Sequence, residues 1–221
     1  MFDLTLVGRA REYLPHFVVT LREVDRIGRG RRHVTLTRLE AVHPLTGASQ
    51  TVYTAADSLV RPREAAVALA DCRALSCPTG PVRVTFITQT RLKHDGGFAR
   101  RPDFQVLFRR LLGRLSSLAT FHDGGPLDVD FRGLIEAAGA VRLARDETRW
   151  TRWARYSARQ DRRMEWEGLI GTVVYEGDLA AFWPYLVFGQ WTHVGSGTTF
   201  GLGRYVIEPE AVRDRDEEAR S

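Results

Sequence analysis

Lysine is almost missing from this sequence: of 32 basic residues in 221, only Lys93 is a lysine. Cysteine is nearly missing too. Cys72 and Cys77 stand five apart with no third, so they form no recognisable zinc or disulfide framework, and a reducing, cytoplasmic location is expected. No run reaches 18 apolar residues, which excludes a membrane-spanning helix. Residues 1–7 have neither a cationic start nor a long apolar stretch, so they do not read as a signal peptide. The composition, 43% hydrophobic and 27% charged, excludes a disordered, collagen-like or disulfide-rich chain.

Arginine takes the place of lysine. The formal net charge is +5 and the pI about 9.7. Guanidinium groups are planar and pair bidentately with phosphate, so a basic, arginine-rich chain points to a polyanionic partner. Residues 208–221 run the other way, with six carboxylates against three arginines. Residues 210–221 are expected to be a disordered tail.

The apolar pattern sets out the elements. Phe2, Leu4 and Leu6 alternate with other residues, as in a strand. Leu14, Phe17, Val18, Leu21 and Val24 recur at helical spacing, with Pro15 in the first turn and Gly28 at the end. Val34, Leu36 and Leu39 suggest a second strand, with residues 50–54 as a hairpin partner. Residues 1–55 thus read as a β-α-β unit that cannot cover both faces of its sheet. Residues 56–80 read as a linker with a short helix. The run 82–88 is β-branched and apolar, hence a strand. A loop over 89–101 leads to a helix opened by Pro102, with Phe104, Leu107, Phe108, Leu111, Leu115 and Leu118 on one stripe. A short helix near 131–138 follows, then extended segments at 147–156 and 165–176. The next helix contains Pro184, so it either kinks or starts late. A last strand lies at 203–208. From residue 82 the order is the ferredoxin-like β-α-(α)-β-β-α-β, and residues 81–209 are read as that domain. The fold class is therefore α+β: a ferredoxin-like (RRM-like) C-terminal domain preceded by a partial ferredoxin-like β-α-β unit.

The sharpest motif is His193-Val194-Gly195-Ser196-Gly197-Thr198-Thr199-Phe200-Gly201-Leu202-Gly203-Arg204-Tyr205. Four glycines in nine residues let the backbone bend tightly and offer bare N–H groups to an anion, with Arg204 adding charge. The G-x-G-x-x-x-G spacing, followed by a strand, is not a dinucleotide fingerprint, and no Gly-Lys-Ser/Thr marks a Walker loop. A turn needed only for backbone geometry is the plainer reading.

With its two ferredoxin-like stretches and basic surface, this loop resembles the CRISPR-associated endoribonucleases that process precursor CRISPR RNA. These belong to the repeat-associated mysterious protein (RAMP) superfamily, and the match is closest to their C-terminal domain. Similar stretches are Thr90-Arg91-Leu92-Lys93-His94-Asp95-Gly96, the helix from Pro102-Asp103-Phe104, Arg149-Trp150 through Tyr156-Ser157-Ala158-Arg159-Gln160, and Arg29-Gly30-Arg31-Arg32. Family members have two complete ferredoxin-like domains. Residues 2–54 correspond only to the second half of the first, so the helix that carries the family's catalytic histidine is expected to be missing.

The resemblance implies a metal-independent endoribonuclease with no cofactor. A 2′-hydroxyl attacks the adjacent phosphate, with a general base, a general acid and cations assisting. The expected partner is CRISPR repeat RNA, joined by other CRISPR-associated proteins or a second copy of the chain. Its rivals are a non-catalytic RAMP subunit that holds guide RNA and a ferredoxin-like domain for a small anion. His193, beside the glycine loop, and His94, beside Arg91 and Lys93, are the candidates for proton transfer. His16 is expected to be partly buried and structural. His43 and His122 are expected at the surface, while His33 is placed to touch phosphate. Tyr156 and Tyr205 are alternatives for proton transfer or stacking, with core packing the plainer reading. The RNA-binding candidates are Arg29, Arg31, Arg32, Arg91, Lys93, Arg152, Arg155, Arg159, Gly195, Gly197, Gly201, Gly203 and Arg204. Arginines 149–163 alternate with Trp150, Trp153 and Tyr156, which suits phosphate pairing and base stacking; a solvated face is the alternative.

Overall fold

The computed structural model describes residues 1–27, 32–57, 59–63, 65–157 and 162–210, and for 27, 32, 153–157 and 162–165 the backbone alone. By proximity in space it divides into two compact units: residues 1–68 with 118–126, and residues 69–117 with 127–221.

In the first unit, a 3-10 turn at Gly8–Tyr13 leads into α1, Leu14–Glu23, with Pro15 in its first turn where its missing N–H costs nothing. Two-residue strands β1 (Arg26–Ile27) and β2 (Arg32–His33) pair antiparallel. A longer hairpin follows, β3 (Arg38–Val42) against β4 (Ser49–Thr54). Val18 of α1 packs with Val52 and Tyr53 of β4, ringed by Leu14, Leu36, Leu39, Ala41 and Val60. The alternation at residues 2–7 does not produce a ladder: among the described residues the segment pairs with no strand. Period-2 alternation makes a strand only where an edge accepts its hydrogen bonds.

The second unit opens with α2 (Leu69–Arg73) and β5 (Val82–Thr90). A tight hairpin, β6 (Lys93–His94) with β7 (Gly97–Phe98), precedes α3 (Phe104–His122). Then come α4 (Phe131–Ala137), the long pair β8 (Arg142–Ser157) and β9 (Arg162–Glu176), α5 (Trp183–Thr192) and β10 (Tyr205–Pro209). The sheet order is β10-β5-β9-β8, every neighbour antiparallel. This is the ferredoxin-like arrangement, its last strand beside its first. Pro184 sits in the first turn of α5, so the helix starts late rather than kinking.

Val82, Val84 and Phe86 alternate into the core beneath the helices. There Phe108 meets the rings of Phe182 and Tyr185, and Phe104 those of Tyr175 and Phe182. Burying each such ring stabilises the unit by about 1.5–3 kcal/mol. Tyr175 donates to the Pro102 carbonyl at 2.5 Å and Tyr205 to that of Leu186 at 2.7 Å, so neither phenol is stranded in the core. Both phenols are fully enclosed, and Tyr205 is a core residue rather than a proton-transfer group. No helix among the described residues is long and apolar enough to cross a membrane.

Candidate nucleic-acid interface

The glycine loop is sewn to the end of β5. Val194 donates to Gly203 (2.9 Å), closing the neck of the loop, and Gly203 donates to Gln89 (3.1 Å). Ser196 donates to Arg91 (3.0 Å), and the Thr88 hydroxyl donates to the Gly201 carbonyl (2.8 Å). Two glycines are required by close approach. A Cβ on Gly195 would strike the Arg91 carbonyl, and one on Gly203 the Val194 carbonyl, both at positive φ. The amides of Gly201 and Gly203 are thus spent on the Thr198 and Gln89 carbonyls rather than offered to a ligand.

His193 caps α5. Its N–H donates to the Gly189 carbonyl at 2.8 Å, and its backbone stands at φ 62°, ψ 169°. That region is essentially reserved for glycine, and occupying it costs about 1–3 kcal/mol. The ring is half-buried, with Nδ1 3.2 Å from the Leu202 carbonyl. A carbonyl only accepts, so Nδ1 carries the proton and Nε2 keeps the lone pair. Burial holds the imidazole below its usual protonation range; the Leu202 bond opposes this, while Arg204 and Arg114 add to it. The result is a neutral imidazole of fixed tautomer, suited to accept a proton.

Beside the loop lies a cleft of about 360 Å³, lined by Lys93, Arg109, Arg110, Gly113, Arg114, Ser117, Gly195 and Ser196. Four cations and two hydroxyls meet there, and among the described residues no carboxylate lines it. Arg110, Arg114 and Ser117 fall at i, i+4 and i+7 of α3, one face of the helix. The Arg114 Nε points to the Thr192 carbonyl at 3.5 Å, and burial lowers its proton affinity. The side chain therefore ties α3 to the end of α5, next to His193. The Arg110 Nε is buried with no hydrogen-bond partner among the described residues.

A second cluster gathers around Glu167. Trp150 Nε1 donates to its carboxylate (3.1 Å), and Arg152 pairs with it (3.3 Å). Arg100 stacks on the Trp150 ring at 3.7 Å, and Arg91 on Phe98 at 4.4 Å. The Trp150 hydrogen bond first, then Arg152, Arg100 and Arg91, hold Glu167 below the usual carboxylate range.

The sequence candidates thus separate. Lys93 and Gly195 reach the cleft, while Arg91 supports it through its carbonyl. His94 does not line it; it is exposed and pairs with Asp95 at 3.1 Å. Arg152 is exposed but engaged with Glu167, and Arg204 is exposed at the loop exit. Gly197 and Gly201 bracket the turn that carries Phe200. Arg29, Arg31 and Arg159 lie outside the described residues, as do the side chains of Arg32, Arg155 and Tyr156. His16 is exposed beside the Tyr13 ring rather than partly buried, because it falls off the apolar stripe of α1. His43 is half-buried, not exposed; the Thr46 amide points to its Nδ1 at 3.4 Å. Sequence reasoning missed Arg109, Arg110 and Arg114, whose signal was a polar stripe opposite the apolar one on α3.

Residues 84–205, more than half of the chain, match the family model described as CRISPR-associated endoribonuclease Cas6. Residues 1–65 match a model described as an N-terminal domain. No curated protein matches the chain. A solved Cas6 product complex (TTHA0078) is 18% identical with a TM-score of 0.57, covering 92% of this chain and 74% of that one. Thermus thermophilus Cas6 (TTHB231) is 13% identical with a TM-score of 0.50, covering 73% and 66%. A mutant of the first protein is 19% identical with a TM-score of 0.44, covering 64% and 57%. This chain therefore spans less than two thirds of the length of the latter two. At such identities the likeness shows the fold.

Proposed function

Because this chain belongs to the CRISPR-associated endoribonuclease Cas6 family, we propose that it binds the repeat segment of precursor CRISPR RNA and cleaves it without metal. The observation that carries the reading is the cleft of Lys93, Arg109, Arg110 and Arg114, lined among the described residues by these cations and by no carboxylate. Phosphates of a bound strand sit there and are neutralised as a row. The reaction is attack of a ribose 2′-hydroxyl on the adjacent phosphorus, breaking the bond to the 5′-oxygen and leaving a cyclic phosphate. His193 accepts the 2′-hydroxyl proton at Nε2; its neutral tautomer and strained backbone support that role. The cleft cations stabilise charge on the phosphorane. His94 is the second candidate, as the acid that protonates the leaving oxygen.

A second reading, a binding subunit that does not cut, draws on one observation: among the described residues neither a histidine nor a carboxylate lines the cleft. Labelled repeat RNA incubated with the full chain in EDTA separates the two. Cleavage that a single 2′-deoxy substitution at the cut site abolishes establishes the nuclease. Salt-sensitive binding with intact RNA leaves the binding subunit.

A further inference from the structure

Helix α3 carries a glycine at its centre that its own fold does not require. Gly113 is the tenth of the 19 residues of Phe104–His122. Its φ is not positive, so the backbone conformation suits any residue. A Cβ there would meet no described neighbour within 4 Å. The glycines of the other α-helices differ. A Cβ on Gly133 would strike the Asp130 carboxylate that caps α4, and one on Gly189 the Tyr205 hydroxyl. Gly195, across the cleft, is forced by the Arg91 carbonyl. A glycine inside a helix lowers the folding equilibrium about fivefold relative to alanine, because its backbone has more freedom to lose. Nothing in the described chain offsets that loss at position 113.

The reason lies in the cleft, which Gly113 lines. Arg109 and Arg110 stand one turn before it, Arg114 follows it, and Ser117 lies one turn beyond. A helical Cβ leans toward the N-terminus, so a side chain at 113 would rise between Arg109 and Arg110. The Ser117 hydroxyl is turned down onto the helix and donates to the Gly113 carbonyl at 2.9 Å. Its oxygen then has lone pairs but no free proton, which suits a hydroxyl donor rather than an anion. The floor is bare backbone with one acceptor, and the walls are cations. We propose that the sugar–phosphate backbone of the RNA rests on α3 at Gly113, a ribose on the floor and its flanking phosphates on Arg109, Arg110, Arg114 and Lys93. This rests on the RNA-binding reading above and deepens it. Glycine admits the strand one carbon closer than any other residue, within reach of guanidinium groups rooted in the same helix.

The test measures binding of repeat RNA, kept intact by the 2′-deoxy substitution, to the full chain and to the variants Gly113→Ala and Gly113→Leu, with urea unfolding of each. Alanine is expected to raise the folding equilibrium about fivefold and to weaken RNA affinity about fivefold. Leucine, also a good helix former, is expected to weaken affinity about a hundredfold. The opposite signs are the readout, because a stabilised variant that binds less well has lost room for the strand and not its fold. An alanine variant less stable than the parent overturns the proposal, since the fold would then need the glycine. A parent that binds alongside an unimpaired leucine variant overturns this proposal alone. A parent that binds no repeat RNA overturns the RNA-binding reading and this proposal with it.

Discussion

The phenolic oxygen of Tyr205 fills the place that a methyl group on Gly189 would need. Strand β10 and helix α5 are locked at that point, since the same oxygen donates to Leu186 at 2.7 Å and Leu111 closes the other side. Helix propensity alone favours alanine at position 189, by about 1 kcal/mol. Packing reverses that sign. Gly189→Ala is expected to destabilise the chain by about 2 kcal/mol in urea unfolding, and Tyr205→Phe in the same background to recover part of the loss. An unchanged unfolding midpoint would count against this packing.

The backbone of His193 predicts a trade between stability and activity. His193→Gly relieves the glycine-only conformation but removes the Leu202 contact, so stability should hold or rise by about 1 kcal/mol. Cleavage should fall at least about a hundredfold. A variant that unfolds easily and still cleaves would sink both halves.

Burial places the His193 proton affinity below its ordinary value of 6.5. The unfolded chain then binds more protons than the folded one just below pH 6.5, so stability falls as the pH drops through that window. The acid limb of the cleavage rate should have its midpoint below 6.5. Arg114→Gln, which removes a nearby positive charge, should move that midpoint upward. A limb above 6.5 in the parent would exclude His193 as the base.

The cleft cations should be countable by salt. Arg109→Gln or Arg110→Gln is expected to reduce the slope of log K against log salt for repeat RNA by about 0.7 per lost phosphate contact. Arg132→Gln, a solvent-exposed α4 pair with Glu136 outside the cleft, should leave the slope unchanged. Equal slopes for all three would move the phosphates elsewhere.

Glu210 bridges Arg83 and Arg145 at 2.6 Å each, which holds its carboxyl down at about 2. Its contribution is present above its ordinary value of 4.5 and is lost as the pH falls toward 2. Glu210→Gln should therefore unfold earlier than the parent at pH 6 and alongside it at pH 2. A gap that persists at pH 2 would argue against an ionic origin.

The second unit was largely legible because its signals are local. The β-branched run of β5, the apolar stripe of α3 and Pro184 at the start of α5 each fix an element within a few residues. Asp95-Gly96 was legible but unread. Both residues have positive φ, 45° and 77°, and join β6 to β7, the turn that an Asp-Gly pair favours. The strand expected at residues 2–7 failed because pairing is decided by a neighbour, not by alternation. The cleft was illegible for a related reason. Arg109, Arg110 and Arg114 look like any solvated helix face until Gly195 and Ser196, some 80 residues later, close over them. His193 was found by its place beside the glycines; its strained backbone has no sequence signature.

The pairing of β10 with β5 joins residues 205–209 to residues 82–86. Central strand and last strand are separated by more than a hundred residues, so this contact has a high loop-closure cost and forms late. The neck of the loop, Val194 to Gly203 and Gly203 to Gln89, waits on the same event. During synthesis the chain can therefore complete α3 and the β8–β9 ribbon while the cleft is still open on one side. Until residues 203–209 leave the ribosome, the nascent protein has its arginines but not the neck that fixes the glycine loop beside them.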